Sequence, residues 1–91
     1  MDQELSHEFS QSLQSISESS RIYVDRSLAI VTRVHFIMKE KGITQEELAI
    51  RMGKQREAVS RFLNPMYNFT LRTISEIEAA LGDEVLRVTG F

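Results

Sequence analysis

The sequence predicts an all-α domain, a bundle of about five helices with one short strand at the carboxyl end. Apolar residues recur at steps of three and four along most of the chain, which is the period of a helix face. Glycine closes three of these runs, at Gly42, Gly53 and Gly82, and only Glu84 to Thr89 shows strand-like alternation. With 91 residues, 42% hydrophobic and 26% charged, the chain has material for one core and an ordinary globular composition. Cysteine is absent, which removes disulfide staples, thiolate chemistry and sulfur-ligated metals together.

The first twenty residues are serine-rich, which weakens a helix interior, yet Leu5, Phe9, Leu13 and Ile16 fall on one helical face. An amphipathic helix from about Gln3 to Glu18 is expected. Three readings stay open for it: a segment docked on the domain's own core, one that orders on a partner, or disorder. From Tyr23 to Lys41 the pattern is a central core helix, with Val24, Leu28, Val31, Val34 and Met38 on one stripe and Ile30 and Ile37 widening it. Asp25 in its first turn and Lys39 and Lys41 in its last match the helix dipole, and Gly42 stops it. His35 lies in this run with no metal-ligating neighbour at suitable spacing, so a structural role is expected for it.

At Thr44 a helix begins with the signature of a capping box, Glu47 standing three residues on, and Ile43 and Leu48 have the spacing of a hydrophobic staple. Leu48, Ala49 and Met52 form its apolar face before Gly53. A second short helix is expected from about Gln55 to Asn64, burying Val59, Phe62 and Leu63, and Pro65 forbids its continuation. Thr70 can cap a further amphipathic helix through Leu71, Ile74, Ile77 and Leu81 to Gly82. A single strand over residues 84–89 has no partner within the chain, so its expected partner is the same strand of a second copy, giving a homodimer. The organisation expected is an amino-terminal segment over residues 1–20, a helical domain over 21–83 and a tail over 84–91.

The most apolar stretch, Leu28 to Met38, contains Arg33 and His35 and is too short to cross a bilayer. Asp2, Glu4 and Glu8 precede the first basic residue, Arg21, the reverse of a secretory signal, so a cytoplasmic location is expected and no membrane partner. The formal net charge of −2 hides an asymmetry: residues 21–91 hold all 11 basic side chains against nine acids. Arg51, Lys54, Arg56 and Arg61 cluster around the single acid Glu57, a local excess suited to phosphates.

Two short helices about a glycine turn form a helix-turn-helix pattern. Gln45, Ala49, Gly53 and Val59 stand at its relative positions 1, 5, 9 and 15, where a small residue permits close approach, glycine makes the turn and a branched residue packs back. A helical hairpin without a DNA role is the alternative reading. The stretches Gly42 to Ala49 and Ala58 to Asn64 resemble the lambda-repressor-like (Cro/CI, XRE type) DNA-binding family. Asn68 to Leu71 and Ile77 to Gly82 are similar to the loop and helix that follow in many members. The likeness covers about residues 25–83 and implies a DNA-binding transcriptional regulator, a repressor. The small size, the extra amino-terminal segment and the strand-like tail after Gly82 further resemble antitoxins of the HigA and HipB type. That second resemblance implies a toxin as partner and repression of the protein's own operon. Lys54 and Gln55 depart from the Ser or Thr that usually opens the recognition helix, which leaves its N-cap open and adds a cation.

With Val59, Phe62 and Leu63 inward, Glu57, Ser60 and Arg61 face outward, and Lys54, Gln55 and Arg56 project from the end that enters a major groove. Gln55, Arg56, Glu57, Ser60 and Arg61 are the candidate base readers: arginine for guanine, glutamine for adenine, glutamate for cytosine. Arg51 and Lys54 are candidate phosphate contacts by their charge, and the family resemblance adds Thr44, Gln45 and Asn64. The DNA partner expected is a palindromic double-stranded operator. Catalysis has little to work with, since His7 and His35 are isolated and no nucleophile, phosphate-loop or zinc-ligand spacing appears; no enzyme activity, metal or cofactor is expected. A module that neutralises a partner protein with little DNA binding is the competing reading of function.

Overall fold

The computed structural model describes residues 17–90, and the expected amino-terminal helix lies outside them except for its last residues. Four helices follow in order: α1 (Glu18–Lys41), α2 (Gln45–Met52), α3 (Arg56–Phe62) and α4 (Leu71–Leu81). The described residues thus hold four helices, not five, and no strand.

Helix α1 starts five residues earlier than the apolar pattern indicates. Ser17 is its N-cap, with extended backbone and a hydroxyl oxygen that accepts from the Ser20 amide at 3.1 Å. Serine, unfavourable inside a helix, is favourable at this position because it satisfies an orphan amide. Glu18, rather than Asp25, therefore occupies the first turn. The expected stripe is only half buried. Val31, Val34, Ile37 and Met38 enter the core, whereas Val24 and Leu28 remain 43% and 51% exposed, because the other helices pack on the carboxyl-terminal half of α1. His35 is on the exposed side of α1, outside the core.

The core takes Val34 and Ile37 from α1, Leu48 from α2, Val59 from α3, and Ile77 and Leu81 from α4. Helix α2 packs against both α3 and α4, which makes it the hub of the carboxyl-terminal three helices. Phe62, Tyr67 and Phe69 make successive edge-to-face contacts, with ring centroids 5.2 and 4.8 Å apart, and so seat the loop between α3 and α4. The Lys41 ammonium donates to the carbonyls of Leu81 and Gly82 at 2.7 and 3.2 Å, joining the ends of α1 and α4.

The tail corrects the strand expectation. Its first three backbone donors are taken by side chains within the chain: the Glu78 carboxylate accepts from the amides of Val85 and Leu86 at 2.8 and 2.9 Å, and Asp83 accepts from the Glu84 amide. Arg33 donates to the Glu84 carbonyl at 3.2 Å, and the Arg87 guanidinium grips the Glu84 carboxylate at 2.7 Å. With these donors satisfied locally, residues 84–86 do not need a partner strand.

Candidate nucleic-acid interface

Helix α2 begins at the Thr44 cap, whose hydroxyl oxygen accepts from the Glu47 amide at 3.1 Å. The reciprocal arm of the expected capping box is replaced. The Glu47 carboxylate turns instead to Arg51 at 2.9 Å, four residues along the helix. At the other end Gly53 adopts φ 65°, ψ 33°, and its amide and that of Lys54 return to the carbonyls of Ile50 and Ala49. This closure needs left-handed backbone, which glycine reaches without steric cost. Ala49 and Val59 are both buried, the first by its small size allowing α3 to approach and the second by packing α3 back onto α2.

Helix α3 is shorter than its apolar pattern indicates, running from Arg56 to Phe62 with Gln55 as N-cap and no side-chain cap bond. Gln55, Arg56, Glu57, Ser60 and Arg61 are all exposed. Arg56 and Ser60, and Glu57 and Arg61, form two neighbouring rows at the spacing of one turn. Among the described residues Arg56 and Arg61 are in no ion pair.

The residues expected to hold phosphates are placed in three ways. Thr44 and Gln45 lie at the amino end of α2, where Gln45 Oε1 accepts from Ser60 Oγ at 3.2 Å and so ties that end to the outward row of α3. Asn64 follows α3, its side-chain oxygen accepting from the Met66 amide at 2.9 Å. Arg51 and Lys54 are turned toward α4: Arg51 donates to the Ala80 carbonyl at 3.1 Å as well as to Glu47, and Lys54 pairs with Glu76 at 3.4 Å. The uncompensated positive charge of the motif is therefore carried by Arg56 and Arg61. Neither the Ser60–Gln45 bond nor the Lys54–Glu76 pair has a signal in the sequence, because both join residues far apart in the chain through side-chain geometry alone.

Among the described residues no helix is long and apolar enough to cross a membrane, and no three His, Asp or Glu gather as a metal-binding group. Two short helices joined through Gly53, Lys54 and Gln55, the second with an exposed polar edge, define a helix-turn-helix protein. The helix-turn-helix family model matches residues 35–84, more than half of the chain, and the chain belongs to that family in its XRE-type, lambda-repressor-like form. Family membership makes it a DNA-binding regulator. Comparison with curated proteins and with solved structures finds no match.

Proposed function

We propose that the protein is a sequence-specific repressor whose two copies occupy a palindromic operator, with α3 entering the major groove. The observation that carries this reading is the pair of exposed rows on α3, where Arg56 and Arg61 have no acidic partner among the described residues. Each guanidinium suits bidentate contact with guanine, Gln55 suits adenine, and Glu57 accepts from cytosine, with Ser60 beside them. Thr44, Gln45 and Asn64 fix the register on phosphates, and the Ser60–Gln45 bond couples that register to the reading row. Arg51 and Lys54 stand at the motif's rim, where contact with phosphate competes with their pairing to Glu47 and Glu76.

Selection from random-sequence duplexes followed by titration at fixed salt tests this. The expected product is a palindrome with half-site centres about 34 Å apart, one turn of DNA. Arg56→Ala and Arg61→Ala should each weaken its binding by about 1–3 kcal/mol per lost base contact. Wild-type affinity in both variants would refute the assigned reading face, and a flat salt response would favour the protein-only reading.

An antitoxin role is a second reading, supported by the acidic residues Asp2, Glu4 and Glu8 alongside the apolar Leu5, Phe9, Leu13 and Ile16. That segment suits the surface of a basic partner protein, and an antitoxin of this kind represses its own operon. Removing residues 1–16 should then reduce capture of the neighbouring gene's product while operator binding persists.

A further inference from the structure

The amino-terminal half of α1 stands apart from the core: from Glu18 to Ile30 only Ser27 is buried, and Ile22, Tyr23, Val24 and Leu28 are 40–51% exposed. A helical stretch of that length without packing is marginal in water. One face of the helix carries this exposure on into the half that the core does support. Ile22, Asp25, Ala29, Thr32 and Phe36 follow one another at steps of three and four, Phe36 is 54% exposed, and a shallow depression over Ala29 is lined by Asp25, Leu28, Thr32, Arg33 and Phe36. Apolar side chains, a small residue at the centre and one charge of each sign on either side of it make a face that is complementary to itself.

We propose that this face joins two copies of the chain, α1 crossing the α1 of a partner subunit in antiparallel sense with Ala29 on the twofold axis. Positions equidistant from Ala29 then meet: Ile22 lies against the partner's Phe36, and Asp25 faces the partner's Arg33, each contact made twice by symmetry. Size supports the crossing point, because alanine lets two helix axes approach to about 8 Å. Charge supports the direction. A parallel pair would set Asp25 and Arg33 each against its like, whereas the antiparallel pair joins opposites. Asp25 is in no ion pair among the described residues. Arg33 is held on the face by the Glu84 carbonyl at Nε and by Asp83 at 3.6 Å from Nη2, and it lies 5.6 Å from the centre of the Phe36 ring, which leaves its Nη1 amino group to a carboxylate. Glu18 and Glu40 also fall opposite each other, but about 16 Å from the axis, where helices crossing at about 50° have diverged. Support is mutual: the unpacked half of each α1 lies on the half that its partner's core holds. This interface deepens the two-copy repressor reading and rests on it for the need of a second copy, a contact for which residues 84–86 have no free amide.

Sedimentation of the full-length chain without DNA reads the interface apart from operator binding. The parent is expected to be a dimer. Asp25→Arg and Arg33→Glu each turn both symmetric pairs repulsive, and each should raise the dissociation constant of the dimer about tenfold. Mixed in equal amounts, the two variants should form a heterodimer about as tight as the parent, since every pair is then again of opposite sign. The chain has no cysteine, so Ala29→Cys supplies a single thiol that should cross-link to its own copy under mild oxidation, whereas His35→Cys, exposed on another side of α1, should not. Far-ultraviolet circular dichroism checks that the helices persist, and where a charge variant loses them the Ala29→Cys cross-link decides alone. A monomeric parent would overturn the proposal and leave the face to residues 1–16 or to a different protein. So would a dimer that neither charge variant weakens, or one whose Ala29→Cys form fails to cross-link. A dimer with all these properties that binds no operator would uphold the interface and remove the repressor reading.

Discussion

Glu84 shows how one side chain shapes the tail. The hydrogen bond from Arg87 holds its carboxyl below the ordinary value, desolvation acts in the other direction, and the charge of Arg87 adds a smaller lowering. A lowered folded-state value means that the pair favours the folded tail above the ordinary carboxylate range and loses that contribution as pH falls through the lowered value. Arg87→Ala should therefore raise the Glu84 titration midpoint in a carboxyl-detected NMR titration, and an unchanged midpoint would remove Arg87 as the cause. Glu78 has the larger structural part, since it satisfies two amides at once. Glu78→Ala should cost about 1 kcal/mol in urea unfolding and shift the amide resonances of Val85 and Leu86 most. None of this was legible in the chain. Leu86 and Val88 alternate with polar neighbours as a strand does, and a carboxylate reaching forward seven and eight residues leaves no periodic trace. The outward positions of α3 were legible, because once Val59 and Phe62 are inward, helical geometry fixes where Glu57, Ser60 and Arg61 point.

At the scale of the element, the ends of helices were read best where a side chain does the capping. Thr44 and Thr70 both accept from the amide three residues on, at 3.1 Å. Thr70→Ala should destabilise the protein by about 1 kcal/mol in thermal or urea unfolding, with the loss centred on α4. Helix α3 offers the converse test. Gln55 caps it without a side-chain bond, so Gln55→Ser should stabilise the fold by about 0.5–1 kcal/mol, and a lower melting temperature would show that Gln55 makes a contact that serine cannot. The start of α1 was obscured because serine-rich composition reads as helix-weakening, although one serine at the boundary is what begins the helix. The apolar stripe of α1 gave the correct face for Val31, Val34 and Met38, but periodicity does not say how far along a helix its neighbours extend.

At the scale of the whole molecule, the four described helices share one small core, with Val34, Ile37, Leu48, Val59, Ile77 and Leu81 almost without solvent contact. Ile77 lies where α4 closes on the other helices, and Ile77→Ala should cost about 2–5 kcal/mol by lost burial and an incompletely collapsed cavity. That is a large share of the roughly 5–15 kcal/mol that holds a domain of this kind folded, so the variant should melt far below the parent and lose DNA binding with its fold. Ala58→Ser, at a half-buried position on α3, should cost much less, and comparing the two separates loss of the core from a local change in α3.

The left-handed turns at Gly42 and Gly53 have a consequence in stereochemistry. Their φ angles are +66° and +65°, and the space where an L-side chain would begin holds no atom within 4 Å, so the demand for glycine there is torsional and owes nothing to crowding. These torsions are the mirror image of the ordinary helical region, which is where a D-residue is most at ease. Both turns are exposed to solvent. A chemically assembled chain with D-alanine at either position should keep the fold and melt higher, by about 0.4–1 kcal/mol of lost freedom in the unfolded chain, whereas L-alanine should melt lower than glycine. The handedness of a single carbon would then separate a turn that needs empty space from one that needs only the right sign of rotation.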